Sequence, residues 1–389
     1  MSAHHPLIAA WARSAVVPRH GAFKTLQPHE LATPVIHALL AQTGLSPSAV
    51  DAVVMGNALG AGGNPARMTA LHAGLNTSCA AYTVDTQCCA GLDAVALGAS
   101  LIASGQAHVV VAGGAEAWSR SPIRMHRPMN GDEAAIAFER PAFAPKPEQD
   151  PDMLLSAARY AANAGYTRVQ QEAYAAQSHA RALALQAIIS REIVPILGVA
   201  HDVYPRHIDP ARAARMPVVA RTDAPHADDR CALSALTVSA QADGAALVLL
   251  VSPQACETFK LTPKAQWLAQ ASIGAAPDTP LLAAQAAAQQ ALHRAGFADV
   301  HGLAHVELHD AFAVQGLSFA DHLGLRPEQL NARGGGLCRG HPIGASAATA
   351  LVRLLADLST SPTANAKGLV AVAGAGGLGS AAVVASLAP

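Results

Sequence analysis

The chain has only six cysteines in 389 residues: Cys79, Cys88, Cys89, Cys231, Cys256 and Cys338. That is too few for a disulfide framework at this length, and none stands in Cys-x-x-Cys spacing, so neither a disulfide scaffold nor a metal site is expected. The chain also lacks an excess of charge. Its 26 Lys and Arg face 27 Asp and Glu, for a net charge of -1, and it has no acidic or basic tail. A nucleic-acid or anionic-membrane partner needs a basic excess, so neither is expected. No long apolar run opens the sequence: MSAHHPLIAAWARSAVVPRHG is interrupted by Arg13 and is too short for a signal peptide or a membrane span. These absences point to a soluble, cytoplasmic protein with reduced thiols.

What is present is apolar material, 51% of the chain, enough for two domains or one large α/β unit with an insertion. Up to about Glu116, short β-branched runs alternate with longer Ala/Leu-rich stretches, the pattern of a sheet covered by helices. Ala49 to Met55, Tyr82 to Gln87 and His108 to Ala112 read as strands, and Cys89 to Ser104 as a helix whose first turn holds Cys88. From Trp118 to about Leu236 the texture changes. Proline and arginine are frequent, Arg140 to Pro151 and Tyr204 to Pro225 read as loops, and one helix is expected over Thr167 to Ile189. About half of the Lys and Arg lie in this insertion. Acidic residues are almost as frequent there, so a solvated cover is favoured over an arginine cradle for a phosphorylated carrier. Strand runs resume at Val238 to Val251 and Gln266 to Ala275, followed by an Ala/Gln helix to about Ala295 and a strand at His305 to Leu308. A helix after His341 and strands at Gly368 to Ala373 and Ser380 to Leu387 complete the chain, so the second half repeats the order of the first.

In that repeat the helix opened by His341, within Gly334 to Ser346 (GGGLCRGHPIGAS), is the counterpart of the helix opened by Cys88. The positive end of a helix dipole disfavours imidazolium, so His341 is expected to stay neutral and able to accept a proton. A helix N-terminus and a nearby histidine favour a thiolate, so Cys88 is expected to be an activated nucleophile for acyl chemistry. Cys89, turned about 100° away along a helix, reads as packing. His309 closes a strand at the carboxyl end of an α/β sheet, where polar residues face ligand crevices, and is placed to donate to a developing oxyanion. Gly374 to Gly379 separates two strands. It is too long and too glycine-rich for a minimal hairpin, and its backbone N–H groups are candidates for an oxyanion contact. A strand follows it, so it does not fit a dinucleotide fingerprint.

Taken together these segments resemble the thiolase family, in the right order over nearly the whole chain. Trp11 to Phe23 is similar to that family's opening strand and turn, Gly56-Asn57 through Asn64-Pro65-Ala66-Arg67 to its GN…NPAR segment, and Val109 to Arg120 to its VVAGGMENMSR. Arg191 to Pro195 is similar to its EIVP, Cys88 to Leu92 to its nucleophile segment, His309 to Phe312 to NEAF/HDAF, Gly340 to Ser346 to GHPIGAS, and Gly374 to Gly379 to its terminal glycine loop. The resemblance implies duplicated βαβαβαββ halves in a five-layered αβαβα arrangement with an inserted loop domain. The first half would be 1–117 plus 237–264, the insertion 118–236 and the second half 265–389. It implies that Cys88 carries the acyl group, that His341 deprotonates it, and that His309 holds the second-step oxyanion. The backbone N–H groups of Cys88 and Ala375 would hold the first, with Met153, Ser239, Phe312 and Gly376 around the substrate. It further implies a Claisen condensation or cleavage of acyl-CoA thioesters by a homodimer or dimer of dimers joined through the strand before the nucleophile. No cofactor would be bound permanently.

Three departures bear on the chemistry. The second cysteine that thiolases place just before the glycine loop is here Ala373, and no thiol replaces it between Ala345 and Asp357 or at Cys338. The HMGxTAEN segment corresponds to Asp152 to Arg159, and the Ala-Gly-Asn-Ala-Ser run to Val238 to Ala242. Loss of a positioned acid/base costs roughly 10²- to 10⁴-fold. Three chemistries therefore stay open: acyl-CoA condensation, decarboxylative condensation like that of ketoacyl synthases, and acyl transfer to a non-carbon acceptor. The thioester carrier would be coenzyme A or a carrier protein. A non-catalytic subunit in a complex is the reading disfavoured by Cys88 and His341.

Overall fold

The computed structural model describes residues 6–224, 228–326 and 328–387, so Pro225, the end of one expected loop, lies outside the described residues. The first half runs β1 (Leu7–Arg13), α1 (Pro28–Thr43), β2 (Ala52–Gly56), α2 (Pro65–His72), β3 (Ala80–Val84), α3 (Ala90–Ala103) and β4 (Val109–Ala117). The insertion carries α4 (Met153–Ala164) and α5 (Arg168–Ala184), after which β5 (Ala242–Val251) closes the half. The second half runs β6 (Ala265–Gly274), α6 (Ala283–Arg294), β7 (His305–His309), α7 (Ala313–Leu323), α8 (Ile343–Ser359), β8 (Lys367–Gly374) and β9 (Leu378–Ser386).

The strands form one path, β7-β8-β9-β6-β1-β5-β4-β2-β3, joined at its middle among the described residues by a short pairing of Leu7 with Gln266 and Ile8 with Ala265. That narrow join divides the sheet into two wings, and the period-2 alternation of apolar residues lets each wing bury both faces. Val53, Val111 and Leu249 face Leu31, Ile36 and Leu39 of α1 on one outer side. Their neighbours Val110 and Leu250 meet Leu92 and Val95 of α3 in a central core that also takes Leu351 and Leu355 of α8 and Val370 and Val384 of the second wing. Leu369, Ala371 and Val383 face Ala284, Ala288 and Leu292 of α6 on the other outer side. Helix, sheet, helix, sheet, helix is the five-layered arrangement that the resemblance implied.

Four local readings change. The duplication is incomplete, because a lone parallel bridge between Val306 and Leu330 stands where the first half has β3. The insertion holds a helix that composition concealed, α4, started by Asp152, whose carboxylate accepts from the N–H groups of Leu154 and Leu155. The helix expected to reach Ile189 stops at Ala184, where Leu185 leaves helical conformation, and Gln186–Ile189 is a separate turn. The glycine segment is a tight hairpin. β8 and β9 pair up to Gly374 with Leu378, leaving three connecting residues, and Gly376 and Gly377 take φ values of 78° and 80° that favour glycine.

Candidate active site

Cys88 is set by the way the chain leaves β3. Gln87 adopts φ 54°, a left-handed conformation rare for a side chain of its size. Asp85 holds it there, accepting from both the backbone N–H and the Nε2 of Gln87 at 3.0 Å. Strain of about 1–3 kcal/mol at such a residue persists only where the surroundings enforce it. Cys88 then lies in a single 3-10 turn, Gln87–Cys89, ahead of α3 and not within its first helical turn. Cys89 is fully buried, its sulfur 3.9 Å from the carbonyl of Val372, and serves packing.

His341 is fixed by its backbone before its ring is considered. Its N–H donates to the Ala240 carbonyl at 2.7 Å, and the Trp118 indole donates to its carbonyl at 3.0 Å. Its Nε2 lies 3.1 Å from Cys88 Sγ, so two residues 253 apart in sequence meet. The approach depends on missing side chains: a Cβ on Gly56 or on Gly91 would come within 2.7 Å of the Gly344 carbonyl oxygen. α8 begins at Ile343, so His341 precedes the helix and does not open it.

The electrostatics correct the sequence reading. Burial pushes the Cys88 thiol up to about 12, and the charges of Glu116 and Asp85 add to this, outweighing the N–H groups of Ala375 and Cys88 that pull the other way. Cys88 therefore rests as a thiol. His341 is held neutral as expected, but the cause is burial, which pushes it down to about 4. The pair is therefore a thiol facing a neutral imidazole, which is competent for proton transfer at the moment of attack.

Cys88, His341, Met153, Ser239, Phe312 and Ala375 line one cavity of about 270 Å³. Ala373 also lies on its wall. Two predicted residues do not. Gly376 turns away and packs where a Cβ would sit 2.9 Å from the Phe143 carbonyl oxygen. His309, expected to face the substrate, stands behind His341: its Nε2 is 2.7 Å from His341 Nδ1 and the rings stack at 4.5 Å. It is 2% exposed, and burial, helped by His341 and Arg339, holds it well below the usual histidine range. Residues that sequence reasoning missed include Trp118, Gln241 and Leu281 on the wall and Glu116 beneath it. Only Glu116 carried a signal, as an acidic residue ending an otherwise apolar strand.

The thiolase N-terminal domain family matches residues 7–254, and the thiolase C-terminal domain family matches residues 261–386. The chain belongs to the thiolase family. It is 33% identical to an acetyl-CoA acetyltransferase of Allochromatium vinosum, over 96% of each chain. It is 34% identical to an acetyl-CoA acetyltransferase of Pseudomonas aeruginosa, over 97% of this chain and 98% of the other. The crystal structure of the Bacillus anthracis acetyl-CoA acetyltransferase superposes with a TM-score of 0.88 at 27% identity, covering 99% of each chain. An Ascaris suum thiolase solved in complex with coenzyme A gives the same TM-score and identity, covering 98% of this chain and all of that one.

Proposed function

We propose that this thiolase-family chain is an acyltransferase that carries an acyl group on Cys88 and forms or cleaves a C–C bond between acyl-CoA thioesters. The 3.1 Å contact between Cys88 Sγ and His341 Nε2 carries the reading. As sulfur attacks the thioester carbonyl, the thiol proton passes to His341 Nε2. The N–H groups of Cys88 and Ala375 take the oxyanion. Collapse breaks the C–S bond to coenzyme A, whose thiolate recovers the proton from His341. With Cys88 acylated, the α-proton of a second acyl thioester passes to water or to the freed Nε2 of His341; the carbanion attacks the acyl-enzyme carbonyl, the C–S bond to Cys88 breaks, and the leaving thiolate takes that proton back. Met153, Ser239 and Phe312 border the acyl and pantetheine path.

One observation favours a second reading. The wall position that holds a thiol in other thiolases is Ala373. A carbanion released by decarboxylation, or a non-carbon acceptor, avoids the need for that acid/base, and a carrier protein would then be a possible thioester donor. The exposed last strand of the sheet, β3, with Tyr82 half exposed, supports a homodimer joined through it. The division into 1–117 plus 237–264, 118–236 and 265–389 follows the two wings and the insertion. All six cysteines are free, which supports a cytoplasmic location, and no helix among the described residues is long and apolar enough to cross a membrane.

Intact-protein mass spectrometry after incubation with acetyl-, longer acyl- and malonyl-CoA tests the reading. An acyl mass on the wild type that is absent from Cys88→Ala and retained in Cys89→Ala is expected. An adduct undiminished in Cys88→Ala, or no adduct from any donor, would overturn it.

A further inference from the structure

The bare backbone at Gly336 and the inward turn of His309 are both left unexplained by an oxyanion role for that histidine. They explain each other. A Cβ on Gly336 would collide with His309 Nδ1, so the bare backbone at 336 is what lets the imidazole lie flat against its neighbour. That neighbour is His341, ring on ring at 4.5 Å and 25°. The Nδ1 of His341 meets two atoms, Ser346 Oγ at 2.7 Å and His309 Nε2 at 2.7 Å. The Ser346 hydroxyl gives its hydrogen to the Pro342 carbonyl at 3.0 Å, so its oxygen turns a lone pair towards Nδ1. Two N–H groups cannot face each other at 2.7 Å, so a proton on His341 Nδ1 requires a bare His309 Nε2. Which nitrogen of an imidazole is protonated is set by the partner of the other. A proton held on Nδ1 leaves the Nε2 lone pair for Cys88.

We propose that His309 is a positioning residue that acts on Cys88 through His341, accepting from His341 Nδ1 and so fixing the tautomer that can take the thiol proton, with Gly336 as the clearance that admits its ring. The inference rests on Cys88 and His341 being nucleophile and base, and it reassigns His309 from the oxyanion to the base. The charged and titratable groups around this line are Arg339 and Asp310 beside His309, and Glu116 and Asp85 near Cys88. Arg339 disfavours a cationic His309, in keeping with a neutral acceptor.

The test needs no acyl substrate. Peptide-resolved alkylation of Cys88 by iodoacetamide, from pH 6 to 10, is compared in wild type, His309→Ala, His309→Gln and Gly336→Ala, with ¹⁵N shifts of the His341 ring as the second readout. Loss of the acceptor is expected to slow Cys88 alkylation on the order of tenfold near neutral pH, a fraction of what a positioned base supplies. His309→Gln, whose amide oxygen reaches the place of Nε2, should recover most of it. Gly336→Ala should be slow with His309 still present. The His341 ring should carry its proton on Nδ1 in wild type and in His309→Gln, and show a smaller Nδ1 population in His309→Ala, where Ser346 Oγ is the acceptor that remains. Equal alkylation in wild type and His309→Ala, or equal losses in the Ala and Gln variants, would overturn the proposal. Should the alkylation pattern hold while no donor acylates Cys88, the acyltransferase reading fails and this one stands.

Discussion

The carboxylate of Glu116, at the end of β4, accepts from the backbone N–H of Gly344 at 2.9 Å, in the first turn of α8. It also accepts from Asn57 Nδ2 at 2.7 Å and from the Ala58 N–H at 2.8 Å. One side chain of the first half thus holds the loop after β2 and the start of the helix that follows His341. It is 1% exposed, and burial pushes its carboxyl up to about 7 against those donors. Glu116→Ala would strand buried donors, each at about 1–3 kcal/mol. The expected outcome is a loss of about 2–4 kcal/mol in urea unfolding together with slower acylation of Cys88. Unfolding unchanged within about 0.5 kcal/mol would show that Glu116 holds nothing.

The pH dependence of acylation follows from the same burial. His341 must be neutral to accept a proton, and its folded-state value lies near 4, so the base is competent above that pH and lost as pH falls through it. Cys88 stays a thiol up to about 12. Single-turnover acylation measured in Glu116→Gln, which removes the carboxyl that titrates near 7, is therefore expected to be level between about pH 5.5 and 9, with no inflection at the ordinary histidine value near 6.5. A clear midpoint near 6.5 in quench-flow data would mean that His341 is solvated during the reaction.

Much of this site was legible in the sequence because it depends on local pattern. Cys88 and His341 announced themselves through neighbouring small residues and matching places in two similar halves, and the short apolar runs of β4 and β8 marked strands. What was not legible depends on depth. The helix N-terminus and the nearby histidine predicted a thiolate at Cys88, but desolvation and the charges of Glu116, remote in sequence, and Asp85 reverse that sign. The direction in which the His309 ring points is decided by Gly336, 27 residues on. The helix α4 was concealed because its Asp152 cap sits in a proline-rich stretch that reads as loop.

Glu307 gives a stability prediction away from the cavity. It is 1% exposed, its Oε2 has no hydrogen-bond partner among the described residues, and Arg339 Nη2 is 3.9 Å away. Burial pushes its carboxyl up to about 8, with Asp357 adding to the rise and Arg339 opposing it. The folded value exceeds the unfolded one of 4.5, so the folded state binds the extra proton between them. This group's contribution is complete below about 4.5 and declines as pH rises to about 8. Glu307→Gln removes the titration. Its Tm relative to wild type should climb from pH 5 to pH 8 and then level. A constant difference across that range would show that Glu307 is already ionised in the folded protein.

Ala373 leads to the last prediction. It borders the same cavity as Cys88 and His341, where a thiol would be needed to return a proton to a departing acetyl carbanion. Among the residues lining that cavity, His341 is the one histidine and Cys88 the one cysteine. His341 Nε2 faces Cys88, so under the proposed function it would serve the acyl-enzyme step and leave the carbanion step without a side-chain acid/base of its own. Wild-type thiolysis of acetoacetyl-CoA should accordingly be slow while acylation is fast, and Ala373→Cys should raise thiolysis by at least about 10²-fold, the lower end for a positioned acid. Steady-state thiolysis and single-turnover acylation measured on both proteins separate the two steps. A wild type that already cleaves acetoacetyl-CoA at the rate of its own acylation would show that water or His341 delivers the proton unaided. A variant that gains nothing would show that the block lies in carrier binding, at Asp152 or along 238–242. Faster product formation from malonyl than from acetyl thioesters in wild type, with the order reversed in Ala373→Cys, is the outcome that would assign decarboxylation as the source of the carbanion.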